Sequence, residues 1–182
     1  GDDGVRKSCA SLPDDVVDDL GGPSLKPPSM SWVPFASHSV MLEHIDAIFG
    51  DGDLQKLVEV GRAMASYDFP AIARPVAKLM NPGFFLDMAT RIWGFYNSHG
   101  TWEVTRTNRE LIGAYFGCPE SHVAFCAGTR GWVEGALLYR GAIDVHVVEE
   151  RCAAKGAPCC SVRVTWREKR DTARDRRPRP PT

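Results

Sequence analysis

Residues 128–166 read GTRGWVEGALLYRGAIDVHVVEERCAAKGAPCCSVRVTW, and a change of period inside this stretch decides the fold. On its N-terminal side Ala127, Gly131 and Gly135 recur at every fourth position. That is the spacing of one helix face, and a stripe of small residues lets a helix lie close against its neighbour. Beyond Gly141 the period falls to two. Ile143, Val145, Val147 and Glu149 then share one face of a strand, and Cys160, Val162, Val164 and Trp166 share one face of the next. The stretch therefore predicts a long helix, opened at Cys118-Pro119-Glu120-Ser121 and ending near Arg140. An antiparallel hairpin of residues 143–150 and 160–166 follows, around a loop centred on Gly156.

Working outward, Thr101 to Thr107 alternates and is rich in β-formers, and Arg109 to Phe116 supplies a partner strand through a turn at Thr107-Asn108. Upstream lie four apolar-periodic segments. The first carries Val40, Met41, His44, Ile45 and Ile48 after Ser39; the second carries Leu54, Leu57, Val58, Gly61 and Met64 after Asp53. The third carries Ile72, Val76 and Leu79, and the fourth runs from Gly83 to about Ser98. Four helices, a hairpin, a long helix and a second hairpin make an α+β domain, with an antiparallel sheet of about four strands packed against helices. The domain is expected over residues 30–167. Residues 1–29, with six Asp against Arg6 and Lys7 in the first 20 residues, read as an irregular acidic lead-in in which Leu12, Val16, Val17 and Leu20 form at most one short amphipathic turn. Residues 168–182 read as a disordered basic tail, because they lack the apolar residues that offset ordering entropy.

The chain has 182 residues, 43% hydrophobic and 25% charged, which fits one globular domain. No run approaches the roughly 18 apolar residues of a membrane span, and the acidic N-terminal segment is unlike a secretory signal. A cytoplasmic protein with no membrane contact is expected. The GxxxxGK[ST], GxGxxG and GxSxG signatures are all missing from the sequence, so nothing supports a nucleotide-dependent enzyme or a hydrolase, and a non-enzyme is expected. The basic tail has no interleaved aromatics, which argues against direct nucleic-acid binding.

Six cysteines stand at positions 9, 118, 126, 152, 159 and 160. In a reducing compartment, metal binding and plain buried thiols compete to explain them. Strand alternation brings Glu149 and Cys160 to the loop end of the hairpin beside Cys152, and Cys126 adjoins the small-residue stripe at the helix start. Cys126, Glu149, Cys152 and Cys160 thus form a candidate closed tetrahedral zinc set. The alternative is a small core cysteine at 126, a solvated Glu149 and an unmetallated thiol pair. His146 falls on the opposite strand face from Glu149 and is rejected as a ligand. Thiol redox chemistry through Cys159 and Cys160 would need a partner such as Cys152.

The GWVEG helix, the CxxxGxxxC loop (Cys152, Gly156, Cys160) and the closing strand resemble the 4-vinyl reductase domain family, and the likeness extends back to SWVPF. That resemblance implies a fold similar to a vesicle-tethering subunit family and a tendency to form homodimers. It also implies a relation to the zinc-containing input domains of phenol-sensing transcriptional activators. Those sensors hold zinc with a C-x22-E-x2-C-x7-C pattern, and Cys126, Glu149, Cys152 and Cys160 stand at these intervals. The implied function is a ligand-sensing regulatory domain with a structural zinc, acting in signal transduction. Its partner would be a small hydrophobic or aromatic molecule.

Trp93, Tyr96, His99 and Trp102 cluster where the fourth helix meets the first strand, and Tyr115 and Trp132 can face them. These six are the candidate ligand-binding residues, since apolar pockets with a few polar handles hold small molecules. Two other classes remain: a dimerisation scaffold of the same family, which needs an exposed apolar patch but no pocket, and a pigment-biosynthesis reductase subunit, which needs a redox cofactor site.

Overall fold

The computed structural model describes residues 2–28, 31–73, 91, 93, 94, 97–107, 110–117 and 121–168. Its elements are α1 (Asp2–Ser11), α2 (Asp14–Asp19), α3 (Phe35–Phe49), α4 (Gln55–Ala73), β1 (Thr101–Arg106), β2 (Glu110–Phe116), α5 (Val123–Tyr139), β3 (Ala142–Arg151) and β4 (Cys160–Glu168). The strands form one antiparallel sheet in the order β1-β2-β4-β3. The expected α+β class with a four-stranded antiparallel sheet is thus observed. The third segment beyond Ala73, most of the fourth, and the start of the long helix at Cys118 lie outside the described residues.

Residues 2–28 depart from the expected irregular lead-in. Leu12, Val16 and Leu20, spaced by four, are all buried and form a small core with Val17, Val33, Val40 and Met41. Burying this strip against α3 outweighs the Asp-rich composition. The acids are placed where they help, with Asp2 and Asp3 in the first turn of α1 and Asp14 and Asp15 in the first turn of α2. Ser37 Oγ then donates to Asp19 Oδ2 at 2.5 Å, tying α2 to α3.

Helix α3 also differs from its expected pattern. It begins at Phe35, after Pro34, and its most buried positions are Ser37, Ser39, Leu42 and Asp46; Met41 and Ile45 are only half-buried. The reason is that α3 is packed on two sides. Val40 and Met41 meet the α2 core, and Leu42, Met41 and Ile45 meet a second core with Leu57, Val58, Ala124 and Ala127. Asp46 is held by the Leu54 N–H, which donates to its Oδ2 at 2.9 Å across the turn into α4. Asp53 accepts from the Gln55 N–H at 2.9 Å, as its capping position predicts.

The main core lies between α5 and the sheet. Leu111, Leu137 and Val164 are almost fully enclosed, with Trp102, Tyr115, Val133, Val162 and Trp166 around them. Trp102 crosses the strand pair, and its ring lies where a side chain at Gly113 would stand. On the outward face Arg163 bridges β2 and β3 by pairing with Glu110 and Glu150. The edge strand β3 breaks register between Ile143 and His146 and again between Glu149 and Arg151, and Asp144 sits there at a φ of 51°.

Helices α4 and α5 touch backbone to backbone. A Cβ on Gly131 would overlap the Val58 carbonyl oxygen, one on Gly135 would crowd Arg62, and one on Gly61 would overlap the Gly128 carbonyl. Gly128 itself faces open space. Gly131→Val is therefore expected to destabilise the chain by about 3 kcal/mol in urea unfolding, at the upper end for overpacking. Gly128→Ala should stabilise it by up to about 1 kcal/mol, since alanine is the better helix former.

Candidate functional site

Two side-chain groups stand out from the ordinary core. The first joins the start of α5 to the β3–β4 loop. His122 caps α5 by accepting the Ala124 N–H on Nδ1 at 3.2 Å, which leaves Nε2 to meet Glu43 at 3.0 Å. This fixes the first turn of α5 and with it Cys126. Beyond β3 the chain turns sharply, with the Cys152 carbonyl accepting from the Lys155 and Ala157 N–H groups and Gly156 in the left-handed region at a φ of 92°. The turn brings Cys152 back against Cys160, the first residue of β4.

The sulfurs of Cys126, Cys152 and Cys160 lie within 4.8 Å of one another. Cys126 Sγ is 3.4 Å from Cys160 Sγ and 3.9 Å from Cys152 Sγ, and the Ala153 N–H donates to Cys160 Sγ at 3.3 Å. Hydrogen bonding from Cys126, with a further contribution from the Ala153 N–H, brings the Cys160 thiol down to about 6, against the opposing effect of burial. Cys126 goes the other way. Its hydrogen bond to Cys160, together with burial, pushes its pKa well up, so Cys126 keeps its own proton and donates it to the Cys160 sulfur.

Glu149, the fourth member of the expected zinc set, is not in this group. Its Oε1 is held by Lys155 Nζ at 2.6 Å, an ion pair that raises the lysine's pKa. Cys159 is buried beside Cys160 but outside the cluster, and His146 is on the exposed face of β3.

The second group is aromatic. Trp93 stacks on Trp102 with ring centroids 5.7 Å apart and lies 4.3 Å from Tyr115, and its Nε1 donates to the His99 carbonyl at 3.1 Å. Tyr96 lies outside the described residues. Trp132, on α5, packs against the main core. The cluster extends further than the sequence indicated. Phe35 meets His99 at 5.5 Å and Phe125 at 4.8 Å, and Phe125 meets Trp93 at 6.0 Å and His38 at 6.1 Å. Phe35, His38 and Phe125 were missed because they come from α3 and α5, far in sequence from the Trp93–Trp102 segment. The signal available was the i, i+3 spacing of Phe35 and His38. Burial lowers the pKa of His38, favouring the neutral imidazole.

No family model and no curated protein matches this chain. Solved structures do. An Fe(II) unliganded H-NOX protein from K. algicida superposes with a TM-score of 0.67 at 12% identity, covering 92% of this chain and 88% of that one. A mutant H-NOX of T. tengcongensis gives 0.62 at 15% identity, over 91% and 88%. An S. oneidensis H-NOX mutant in the Fe(II) ligation state gives 0.60 at 12% identity, over 91% and 96%. The fold is the H-NOX fold.

This corrects two expectations. The structures that this chain resembles are H-NOX proteins and not 4-vinyl reductase domains, so the family resemblance drawn from the GWVEG helix and the CxxxGxxxC loop is overturned. Zinc, read first from the types and placement of Cys126, Glu149, Cys152 and Cys160 and then from that resemblance, is overturned too. The H-NOX structures are described by heme and Fe(II), and here Glu149 stands outside the three-sulfur group, with its Oε1 on Lys155. A motif of four spaced residues matched in sequence while its third dimension did not.

Alkylation tests the thiol geometry. The fast-reacting thiol of the native chain is expected to lose reactivity toward iodoacetamide as pH falls through about 6, the Cys160 value, because only the thiolate attacks. Cys160→Ser should remove this low-pH reactivity, and peptide mapping should place the label on residue 160.

Proposed function

We propose that this chain is a small-molecule-sensing regulatory domain that binds its ligand where α3, the turn before β1 and the start of α5 converge. The observation that carries the reading is the meeting of five half-buried rings, Phe35 and His38 from α3, Trp93 and His99 from the segment before β1, and Phe125 from α5. Apolar surface with two imidazoles as polar handles suits a small apolar ligand carrying one hydrogen-bonding group. The H-NOX fold adds support, since those proteins are described in terms of heme and iron ligation states. Binding acts by shifting the population of conformations that relate α3 to the sheet. The domain works as a binding module and not a catalyst. No helix among the described residues is long and apolar enough to cross a membrane.

Heme itself does not fit the described residues. A macrocycle needs an open slot beside an axial ligand. Here Phe35 and Phe125 touch at 4.8 Å, and Trp93 fills the space before Trp102 and Tyr115. Among the imidazoles, His44 is bonded to the Val40 carbonyl, His122 is used as the α5 cap, and His146 is on the outer strand face. His38 and His99 stand against the Phe35–Phe125 pair, His38 with its ring centroid 6.1 Å from Phe125 and His99 5.5 Å from Phe35. No step is derived through heme.

Tryptophan fluorescence tests the reading, with p-cresol as the probe. Saturable quenching is expected in the natural chain, and Trp93→Leu should weaken apparent affinity about tenfold, the size of one lost aromatic contact. Native mass spectrometry should show one small organic molecule per chain. Neither quenching nor adduct would overturn the site. A Soret band that forms on hemin addition and disappears in His99→Ala would restore heme in place of the small organic ligand.

A further inference from the structure

The ring-lined site borders one polar group that the reading above leaves unused, the hydroxyl of Ser39. We propose that Ser39 donates a hydrogen bond to a carbonyl oxygen of the ligand, so that the site selects a neutral aromatic carbonyl compound over a carboxylate. The inference rests on the ring-lined site and names the chemistry that it prefers.

Placement comes first. Phe35, Ser39, Leu42 and Asp46 follow one another at helical spacing and share one face of α3. Phe35 touches Phe125 and His99, and Leu42 packs with Ala124 and Ala127. Ser39 stands one turn beyond Phe35, between these two sets of contacts, and so faces the first turns of α5 at the edge of the ring cluster. It is only 4% exposed, yet its Oγ has no hydrogen-bond partner among the described residues.

That orphaned hydroxyl is the observation that points to a ligand. A serine within a helix can spend its O–H on the carbonyl four residues back, and Ser39 does not. A buried hydroxyl left unpaired costs free energy, which an incoming acceptor recovers. Trp93 offers no equivalent donor, because its Nε1 is already bonded to the His99 carbonyl. The other orphaned oxygen on this face, Asp46 Oδ1, lies beyond Leu42 beside Gly50, two turns from Ser39.

Charge then narrows the acceptor. Burial favours the neutral imidazole at His38, and Glu43 is turned to His122. Among the described residues no lysine or arginine is stacked on these rings or paired beside them. A ligand carboxylate would enter without a counter-ion, which is costly. Among neutral groups a carbonyl oxygen accepts strongly, whereas a phenol oxygen shares its lone pair with its ring and accepts weakly. Phe35, Trp93 and Phe125 supply the apolar contact for the aromatic part.

The test compares para-methylacetophenone with para-isopropenyltoluene, a hydrocarbon of the same shape in which a methylene group replaces the carbonyl oxygen, by isothermal titration calorimetry on the full chain. The ketone is expected to bind about fivefold more tightly, the size of one net hydrogen bond. Ser39→Ala should weaken the ketone about fivefold and leave the hydrocarbon unchanged. Its urea midpoint should equal or exceed that of the natural chain, since an unpaired hydroxyl has been removed. Infrared difference spectra of the natural chain, which need no variant, should show the carbonyl stretch of the bound ketone at a lower frequency than in hexane. Equal affinity for ketone and hydrocarbon, an unshifted carbonyl stretch, or a preference that survives Ser39→Ala would overturn the assignment, and p-cresol binding in the same samples would leave the ring-lined site standing. Equal weakening of both compounds, or a lower urea midpoint, in Ser39→Ala would overturn it too, by making the hydroxyl structural. Failure of ketone, hydrocarbon and p-cresol alike would remove the ring-lined site and this inference with it.

Discussion

Backbone contact between α4 and α5 governs how the rest of this molecule is arranged. Two helices normally stand 8–10 Å apart because side chains keep them there. Here Gly61, Gly131 and Gly135 remove those side chains at the crossing, and the backbone of Gly128, Val58 and Arg62 fills the space where their Cβ atoms would be. With α5 held so closely on one side, its other side is free to bury Val133, Ala136 and Leu137 against the sheet. Both cores meet along this one helix, and Phe125 packs against each of them. The thiol group and the ring cluster are set by the same placement, because Cys126 and Phe125 are neighbours in its first turns.

Much of the sheet could be read from residues 101–166. The period-two runs located all four strands to within a residue or two, and the small-residue stripe of α5 marked a close helix crossing. What pairs β2 with β4 was not legible, because that contact joins segments more than forty residues apart and rests on Tyr115 opposite Cys160 and Gly113 opposite Val162. The N-terminal helices were missed for a different reason. Composition pointed to an irregular segment, yet three apolar residues at a spacing of four suffice once α3 offers Val40 and Met41 as partners. Local sequence does not reveal where such a partner stands.

The site residues show the same division. Strand alternation placed Cys152 beside Cys160 and the small-residue stripe placed Cys126 near the helix start, and the three sulfurs lie within 4.8 Å of one another. Alternation also placed Glu149 on the inner face, opposite Val162 in the register. It could not say that Lys155, six residues further on, would turn back to take the carboxylate, since that depends on the tight turn closed by the Cys152 carbonyl. Among the aromatics, Trp93 and Trp102 were visible as a sequence cluster, whereas Phe35 and Phe125 join it only through the packing of α3 and α5.

The two register breaks in β3 bear on how copies of this protein behave in a crowded solution. β3 is an edge of the sheet, and a straight edge offers its unpaired N–H and C=O groups to any other extended chain. The left-handed Asp144 and the bulges on either side of residues 146–149 interrupt that row twice within ten residues. An incoming strand could match only a short stretch before losing alignment. The irregularity thus acts as protection, limiting strand addition and with it the growth of sheet-to-sheet aggregates.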